Sequence, residues 1–238
     1  MKKPAYELTY TIEAKIRLSA GNTKIGKLYN FNLLPGSAPL SNNTKGLLTS
    51  IEGTCTGCCS ECENGGCYAI NSAKRYHNTT IPSWGMNTLI MRNNLDGMFE
   101  QLKAEIVKKK VTLLRYHSAG EIPHYEYLLK MIKLAEELPN VTFYVYTKRF
   151  DYISKYLSGS RVFPNNLVIN ISRWHDNTKD YNFDSLNIFA YDDGTDPELE
   201  NWTHCPAVDK NGKETGITCD KCGRCYKANG TKTAVYAH

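Results

Sequence analysis

The sequence VTLLRYHSAGE, from Val111 to Glu121, joins an apolar strand to a polar ending. The pattern then becomes helical, because apolar residues recur on one face from Tyr125 to Leu138. A second apolar strand pattern follows at Val141 to Tyr146. Strands that alternate with helices predict right-handed βαβ units and a parallel sheet. This stretch therefore assigns the chain to the α/β class.

The same alternation extends in both directions along the chain. After the second strand we expect a short helix near 151–157, a strand at 167–172 and a further strand at 186–191. Before the first strand, apolar residues spaced as on one helix face predict an amphipathic helix from Leu95 to Ile106, which Asn93 or Asn94 can cap. Another helix is expected at 68–76. The parallel core thus extends over most of the chain.

The two ends of the chain have different patterns. Apolar and polar residues alternate from Tyr6 to Leu18, and a second such run covers Ile25 to Leu34, which together predict a β-hairpin. Residues 35–67 are rich in Pro, Gly, Ser, Asn and Cys and are expected to form a site loop. After residue 192, Gly, Asp, Lys and Cys predominate. We therefore predict three segments: a hairpin (1–34), a loop with the parallel core (35–192) and a metal-binding appendage (193–238).

Composition limits the class of protein. The chain has 238 residues, of which 41% are apolar, enough for a hydrophobic core without help from a metal. No apolar run has the length of a signal peptide or a membrane span, so a cytoplasmic location and no membrane partner are expected. The net charge of +5 permits an anionic partner without requiring one. Nine cysteines are an odd number, and in the cytoplasm clustered cysteines favour metal binding over disulfides.

The cysteines lie in two clusters whose spacing suits metal–thiolate sites. The first contains Cys55, Cys58, Cys59, Cys62 and Cys67, and the second contains Cys205, Cys219, Cys222 and Cys225. Thiolates a few residues apart can converge on one centre. For the first cluster we favour an iron–sulfur centre, with a zinc-stabilised loop as the alternative. For the second, an iron–sulfur cluster and a structural zinc ion are equally supported.

Polar residues follow each predicted strand, where parallel α/β folds bind their ligands. We take His117, Lys148 and His175 as candidate catalytic residues. The candidate ligand-binding residues are Ser118, Gly120, Glu121 and Ser172.

Each candidate has a structural alternative. Glu121 could favour a helix N-terminus, His117 could be a core residue, and Lys148 could be solvated beside Arg149. Because adjacent strand residues point to opposite faces, only one of Trp174 and His175 can line a site.

These motifs, taken in order, resemble the first half of a radical S-adenosylmethionine barrel. A closer match is carried by Cys67-Tyr68-Ala69, Arg115 to Glu121, Tyr146-Thr147-Lys148, Cys205-Pro206, the cysteines at 219, 222 and 225, and Ala234 to His238. In these residues the chain resembles the phage gene product eighty-eight family, which is radical-SAM-like.

The resemblance implies a partial parallel (βα) barrel and a four-iron, four-sulfur cluster held by three cysteines. The open iron would take the amino and carboxylate groups of S-adenosylmethionine, and Gly120-Glu121 would meet its ammonium group. Cys55, Cys59 and Cys62 have the spacing of radical enzymes, whereas the family pattern selects Cys58, Cys62 and Cys67. Both ligand sets remain open.

Three functions are consistent with these features. The first is a radical enzyme that cleaves S-adenosylmethionine and acts on a nucleic acid or nucleotide in the bacterial host cytoplasm. The second is a non-catalytic iron–sulfur or zinc protein that binds nucleic acid or a host protein. The third is a metal-dependent hydrolase or transferase. The sequence shows no evident histidine and base beside either cysteine cluster for such chemistry.

Overall fold

The computed structural model describes residues 3–21, 25–26, 28–57, 62, 67–175, 177–227 and 230–237. It has a mixed α/β fold with an eight-stranded, mostly parallel sheet, as the sequence predicts. Among the residues described, no helix has the length and apolar character needed to cross a membrane.

The strands are β1 (Leu18–Ser19), β2 (Tyr29–Phe31), β3 (Ser41–Asn42), β4 (Gly46–Leu47), β5 (Leu113–Tyr116), β6 (Thr142–Thr147), β7 (Leu167–Trp174), β8 (Asn187–Asp192), β9 (Thr203–His204) and β10 (Lys232–Tyr236). The α-helices are α1 (Tyr68–Arg75), α2 (His77–Thr80), α3 (Met86–Asn93), α4 (Leu95–Lys108), α5 (Tyr125–Glu137), α6 (Phe150–Leu157) and α7 (Cys219–Cys222). A π-helical turn covers Ile81–Gly85, and 3₁₀ turns cover Pro197–Asn201 and Arg224–Tyr226.

The chain divides into two compact units. The first comprises Met1–Ser19, Phe31–Val111 and His117–Leu134, and the second comprises Ala20–Asn30, Thr112–Tyr116 and Ala135–His238. The division into segments 1–34, 35–192 and 193–238 remains a prediction from the sequence.

The parallel core of the second unit follows the predicted βαβ order. Strands β5, β6, β7, β8, β10 and β9 are neighbours in this order, and each adjacent pair is parallel. Strands β5 to β8 therefore lie side by side in chain order, with α5 between β5 and β6 and α6 between β6 and β7 as the crossover helices.

The long helices form where the apolar spacing predicts them. In α4, one face is buried through Met98, Phe99, Leu102 and Ile106. Its N-terminus is capped by Asn94, whose side-chain oxygen accepts a hydrogen bond from the Gly97 amide at 2.8 Å.

The predicted strand at 6–18 is wrong for most of its length, because only Leu18–Ser19 is a strand. The extended chain nevertheless packs through Tyr6 and Leu8 against a buried apolar cluster that includes Leu34 and Leu48. The Ala5 and Tyr6 amides donate to the carbonyls of Leu47 and Leu48, at 2.9 and 3.0 Å. Burial of alternate side chains therefore explains the pattern without a long strand. The second predicted strand is likewise reduced to Tyr29–Phe31.

One face of the sheet in the second unit carries the C-terminal cysteine segment. The strand register puts Arg115 beside Tyr144 and Tyr146 beside Asn170. The Asn170 side chain donates to the Cys225 carbonyl at 2.8 Å, and Asn187 donates to the Lys227 carbonyl at 2.7 Å. Tyr144 also belongs to a buried cluster against which Cys219 and Tyr226 pack. Strand β10 then enters the sheet between β8 and β9.

Candidate metal centres

The first cysteine loop is tied to the Gly120-Glu121 segment through one buried side chain. The Thr54 hydroxyl donates to the Leu34 carbonyl at 3.1 Å and accepts from the Glu121 amide at 3.1 Å. The Thr54 amide also donates to the Leu34 carbonyl, at 2.9 Å. Since Thr54 immediately precedes Cys55, these bonds fix the start of the cysteine loop against Glu121.

Helix α1, which follows the loop, reaches the same segment. The Tyr68 hydroxyl donates to the Ser118 carbonyl. The Leu33 amide donates to the Ala119 carbonyl at 3.1 Å. The chain before Cys55, the chain after Cys67 and Ser118–Glu121 therefore meet within the first unit.

Gly120 occupies a position that no other residue fits without strain. Its φ angle is +87°, and a Cβ atom there would lie 2.8 Å from the Thr54 hydroxyl and 2.9 Å from the Leu33 Cβ. The close approach of these backbones requires glycine.

Glu121 is buried, with 5% of its surface exposed, and its Oε1 accepts from the Ile122 amide at 2.8 Å. Helix α5 begins four residues later, and the acid in its first turn is Glu126. The acid that can stabilise the N-terminus of this helix is therefore Glu126 and not Glu121.

Two thiols of the first cluster are in contact. A hydrogen bond with Cys62 and burial together raise the pKa of Cys67 far above its ordinary value. The backbone N–H groups of Ile70 and Ala69 point at the Cys67 sulfur and act in the opposite direction. Cys55 is partly exposed. Cys58 and Cys59 lie outside the described residues.

His117 has the surroundings of a core residue. It is 4% exposed, and its ring centroid lies 5.4 Å from that of Tyr127. Its φ angle is +57°, and its amide donates to the Phe31 carbonyl at 2.9 Å. A left-handed non-glycine residue at a strand end is held by its surroundings.

A cleft of about 460 Å³ in the first unit adjoins Thr54. Its polar lining includes Thr56, Arg92, His124 and Glu126. The Arg92 guanidinium donates to the Gly53 carbonyl at 3.1 Å, which places this cation beside the cysteine loop. The cleft has room for a small ligand next to the first cysteine cluster.

The second cluster lies within the second unit. Cys219 and Cys222 are the first and last residues of α7, which ends at Gly223 with a φ angle of +72°. This left-handed turn redirects the chain so that Cys225 follows in a 3₁₀ turn. The Cys205 amide donates to the Ala234 carbonyl at 2.7 Å, which ties the remaining cysteine to β10.

Three thiols of this cluster, those of Cys205, Cys219 and Cys225, interact electrostatically. Burial raises the pKa of Cys225 to about 12, a hydrogen bond with Tyr146 lowers it, and the neighbouring Cys205 and Cys219 raise it. The positive charge of Arg115 lowers it again. Mutual repulsion of thiolates is what a bound cation relieves, so the donor set fits a thiophilic metal.

Within the described part of the chain, no three His, Cys, Asp or Glu side chains already form a group that could hold one metal ion. A metal at the second cluster would therefore draw its sulfur atoms closer together than they lie here.

The sequence profile of the gene product 88 family matches residues 16–228. The chain belongs to the gene product 88 family. The matched range contains both cysteine clusters and the whole of Val111 to Glu121. Among curated proteins and among solved structures, no match was found.

In this gene product 88 protein, the remaining candidate residues lie in the second unit. The Lys148 ammonium is 4.9 Å from the centroid of the Trp174 ring, which itself stacks on Tyr191 at 4.6 Å. His175, with a φ angle of +49°, has its Nε2 3.8 Å from an Asp193 carboxylate oxygen. Ser172 is buried, and its carbonyl accepts from the Asn177 side chain at 3.4 Å. Trp174 thus joins Lys148 and Tyr191, while His175 pairs with Asp193.

Sequence reasoning assigned no role to several residues that organise these sites. They are Thr54 in the first unit and Arg115, Tyr146 and Asn170 in the second. For the last three a signal existed, because each is polar or aromatic at alternate positions of an otherwise apolar strand. The Thr54 bonds depend on tertiary placement, which leaves no pattern in the sequence. A hydrogen bond of 2.8 Å between the His204 Nε2 and an Asp192 carboxylate oxygen was also not anticipated.

Proposed function

We propose that this gene product 88 protein is a radical-SAM-like iron–sulfur protein on a partial parallel barrel. It would act as a radical enzyme that cleaves S-adenosylmethionine and modifies a nucleic acid or nucleotide. The observation that supports this proposal best is the Thr54 hydroxyl, which donates to the Leu34 carbonyl and accepts from the Glu121 amide. It thereby joins the start of the cysteine loop to Gly120-Glu121.

The ligands of the first site would be Cys62 and Cys67 with a third cysteine from Cys55, Cys58 or Cys59. The contact between the Cys62 and Cys67 thiols supports their joint use. Iron binds the thiolate form of cysteine, so binding at Cys67 would release the proton that the Cys62 hydrogen bond and burial favour. The chemistry that a reduced cluster supplies is one electron for cleavage of the sulfonium bond.

Glu121 would bind the ammonium group of the cosubstrate. Its carboxylate is the correct partner for an ammonium, and in a buried setting such a bond is stronger than in water. Gly120 lets the two backbones approach closely, and the cleft beside Thr54 offers space for a ligand. Ser118 and Ser172 remain candidate cofactor-binding residues. The candidate catalytic residues are His117, Lys148 and His175.

The second cysteine set would form a closed four-thiolate site in the C-terminal segment, with zinc or an iron–sulfur cluster. Packing of Cys219 and Tyr226 against the buried cluster that contains Tyr144 and Val168 supports a role in holding this segment on the sheet.

The test of catalysis is product formation. Protein purified without oxygen is incubated with dithionite and S-adenosylmethionine, and 5′-deoxyadenosine is measured by chromatography. We expect product from the wild type and at least a tenfold loss for Glu121→Gln, with the fold retained. Glu136→Gln, an exposed glutamate on α5, is the matched control and should behave as the wild type. An iron-loaded wild type that yields no 5′-deoxyadenosine would contradict the proposal.

The alternative is a non-catalytic iron–sulfur or zinc protein that binds nucleic acid or a host protein. It is favoured by the second site, whose Cys225 is fixed through its carbonyl to Asn170 and so suits a structural role. A zinc-only protein without cleavage activity would select this alternative.

A further inference from the structure

Arg115 brings a positive charge to the sheet face that carries the second cysteine cluster. It lies on β5 and is paired in register with Tyr144 of β6. Its guanidinium carbon is 4.7 Å from the centroid of the Tyr146 ring, a cation–π distance. Arg115 and Tyr146 thus form one stacked pair on this face.

Tyr146 connects this pair to a cysteine. Its hydroxyl is hydrogen-bonded to the Cys225 thiol. The ring is fixed from another side by Phe189, which meets it edge-on with centroids 5.0 Å apart. The hydroxyl is therefore held in position before any ligand binds.

The Cys225 backbone is fixed on the same face. Asn170 donates to the Cys225 carbonyl at 2.8 Å and to the Val145 carbonyl at 3.2 Å. One amide group thus ties the cysteine segment to the middle of the sheet. Cys225 is therefore held against the sheet through its backbone carbonyl.

The positive charge of Arg115 suits a position beside a metal–thiolate site. Four thiolates around a divalent cation carry a net negative charge, and burying a net charge is unfavourable unless an opposite charge lies nearby. Arg115 lies over the ring of Tyr146, which packs with Cys219 against the same buried cluster. Asn170, beside Tyr146 in the strand register, holds the Cys225 carbonyl. Arg115 therefore acts on the side chains that border the site.

We propose that Arg115 and Tyr146 are positioning residues of the second cysteine site. Tyr146 donates a hydrogen bond to the Cys225 sulfur, and Arg115 compensates the negative charge of the thiolates when a thiophilic metal is bound. The inference rests on the proposed use of Cys205, Cys219, Cys222 and Cys225 as metal ligands. Outer groups of this kind typically change metal affinity by about 10- to 100-fold.

The test is a zinc titration of the reduced, metal-free, full-length protein against a coloured chelator. The Cys222→Ser variant identifies which bound zinc ion belongs to the second site, because this zinc ion is lost in the variant. For that equivalent, Tyr146→Phe should raise the Kd about tenfold and Arg115→Met by about 10- to 100-fold, while Arg115→Lys keeps the charge and stays nearer the wild type. Affinity elsewhere and the circular dichroism spectrum should not change.

Arg173→Met is the matched control. Arg173 also lies over an aromatic ring, that of Trp202 at 5.2 Å, and it pairs with Asp196 at 2.7 Å. The Arg173→Met variant should have the same zinc Kd as the wild type. Tyr146→Phe removes a single oxygen atom, so it tests the inference even where Arg115→Met does not fold.

Two results would overturn the inference, and they differ. If Cys222→Ser abolishes one zinc equivalent while Tyr146→Phe and Arg115→Met bind as the wild type, the inference fails and the metal site stands. If the wild type binds no zinc ion that depends on Cys222, the proposed metal site is wrong, and the inference about Arg115 and Tyr146 is wrong too.

Discussion

Gly120 is the residue at which the first site depends most directly on backbone geometry. With a φ angle of +87°, alanine there would cost about 1–2 kcal/mol for the left-handed conformation alone. Contact of its Cβ with Thr54 and Leu33 should add about 1–3 kcal/mol. Urea unfolding of Gly120→Ala should therefore show a loss larger than the conformational term.

Gly194→Ala separates the two contributions. Gly194 has a similar φ angle of +83°, but a Cβ there would meet no atom within 4 Å. This variant should lose only about 1–2 kcal/mol. Equal losses for the two variants would show that the junction between Gly120 and Thr54 is looser than described.

Tyr116 should make the free energy of unfolding depend on pH in the alkaline range. Burial raises its pKa above the value of about 10 expected in the unfolded chain. The stability that comes from keeping Tyr116 protonated is therefore fully present below about pH 10 and is lost as the pH rises further. Tyr116→Phe should lower the slope of unfolding free energy against pH by up to about 1.4 kcal/mol per pH unit in this range.

The measurement is urea unfolding from about pH 9 to about pH 11. Tyr76→Phe, which removes the same oxygen atom from a tyrosine that is 55% exposed, is the control. An identical slope for wild type and Tyr116→Phe would contradict the assignment.

At the scale of single residues, the sequence shows the candidate residues but not the contacts that they make. It named both cysteine clusters and Gly120-Glu121, because spacing and residue type are visible in the chain. It did not identify Thr54, whose hydroxyl joins segments 67 residues apart. Partners that distant are set by the fold rather than by local pattern.

Among the elements, α4 offers the clearest test of local structure. Asn94→Ala removes the acceptor for the Gly97 amide, and we expect a loss of about 1 kcal/mol in unfolding free energy. Asn93→Ala, whose side chain only donates to the Leu89 carbonyl on the helix surface, should lose less. Equal losses would mean that the Asn94 cap contributes nothing specific.

Elements with strong periodicity were predictable, and short or irregular ones were not. Helix α5 and strands β5 to β8 lie close to their predicted positions because their apolar residues have one clear period. The hairpin of β3 and β4 was not predicted, since two-residue strands are too short to show alternation. Apolar and polar residues alternate at 6–17, but this segment does not pair with a neighbouring strand, so the strand prediction was wrong there.

For the molecule as a whole, the α/β class and the family could be derived from sequence, whereas the surroundings of the cysteines could not. Each unit carries one cysteine cluster. The second cluster packs on Tyr144, Tyr146 and Asn170, which only the sheet register brings onto one face. Register is a long-range property, so Arg115 and Tyr146 gained a role only from the structure.

The central claim is that the first cysteine loop holds an iron–sulfur cluster, and metal analysis tests it most directly. Protein purified without oxygen is assayed for iron, acid-labile sulfide and zinc, alongside a Cys62→Ser/Cys67→Ser variant and the Cys222→Ser variant. We expect about four irons and four sulfides at the first site, lost in the double variant and kept in Cys222→Ser. Folded, iron-free wild-type protein that contains only zinc would contradict the claim.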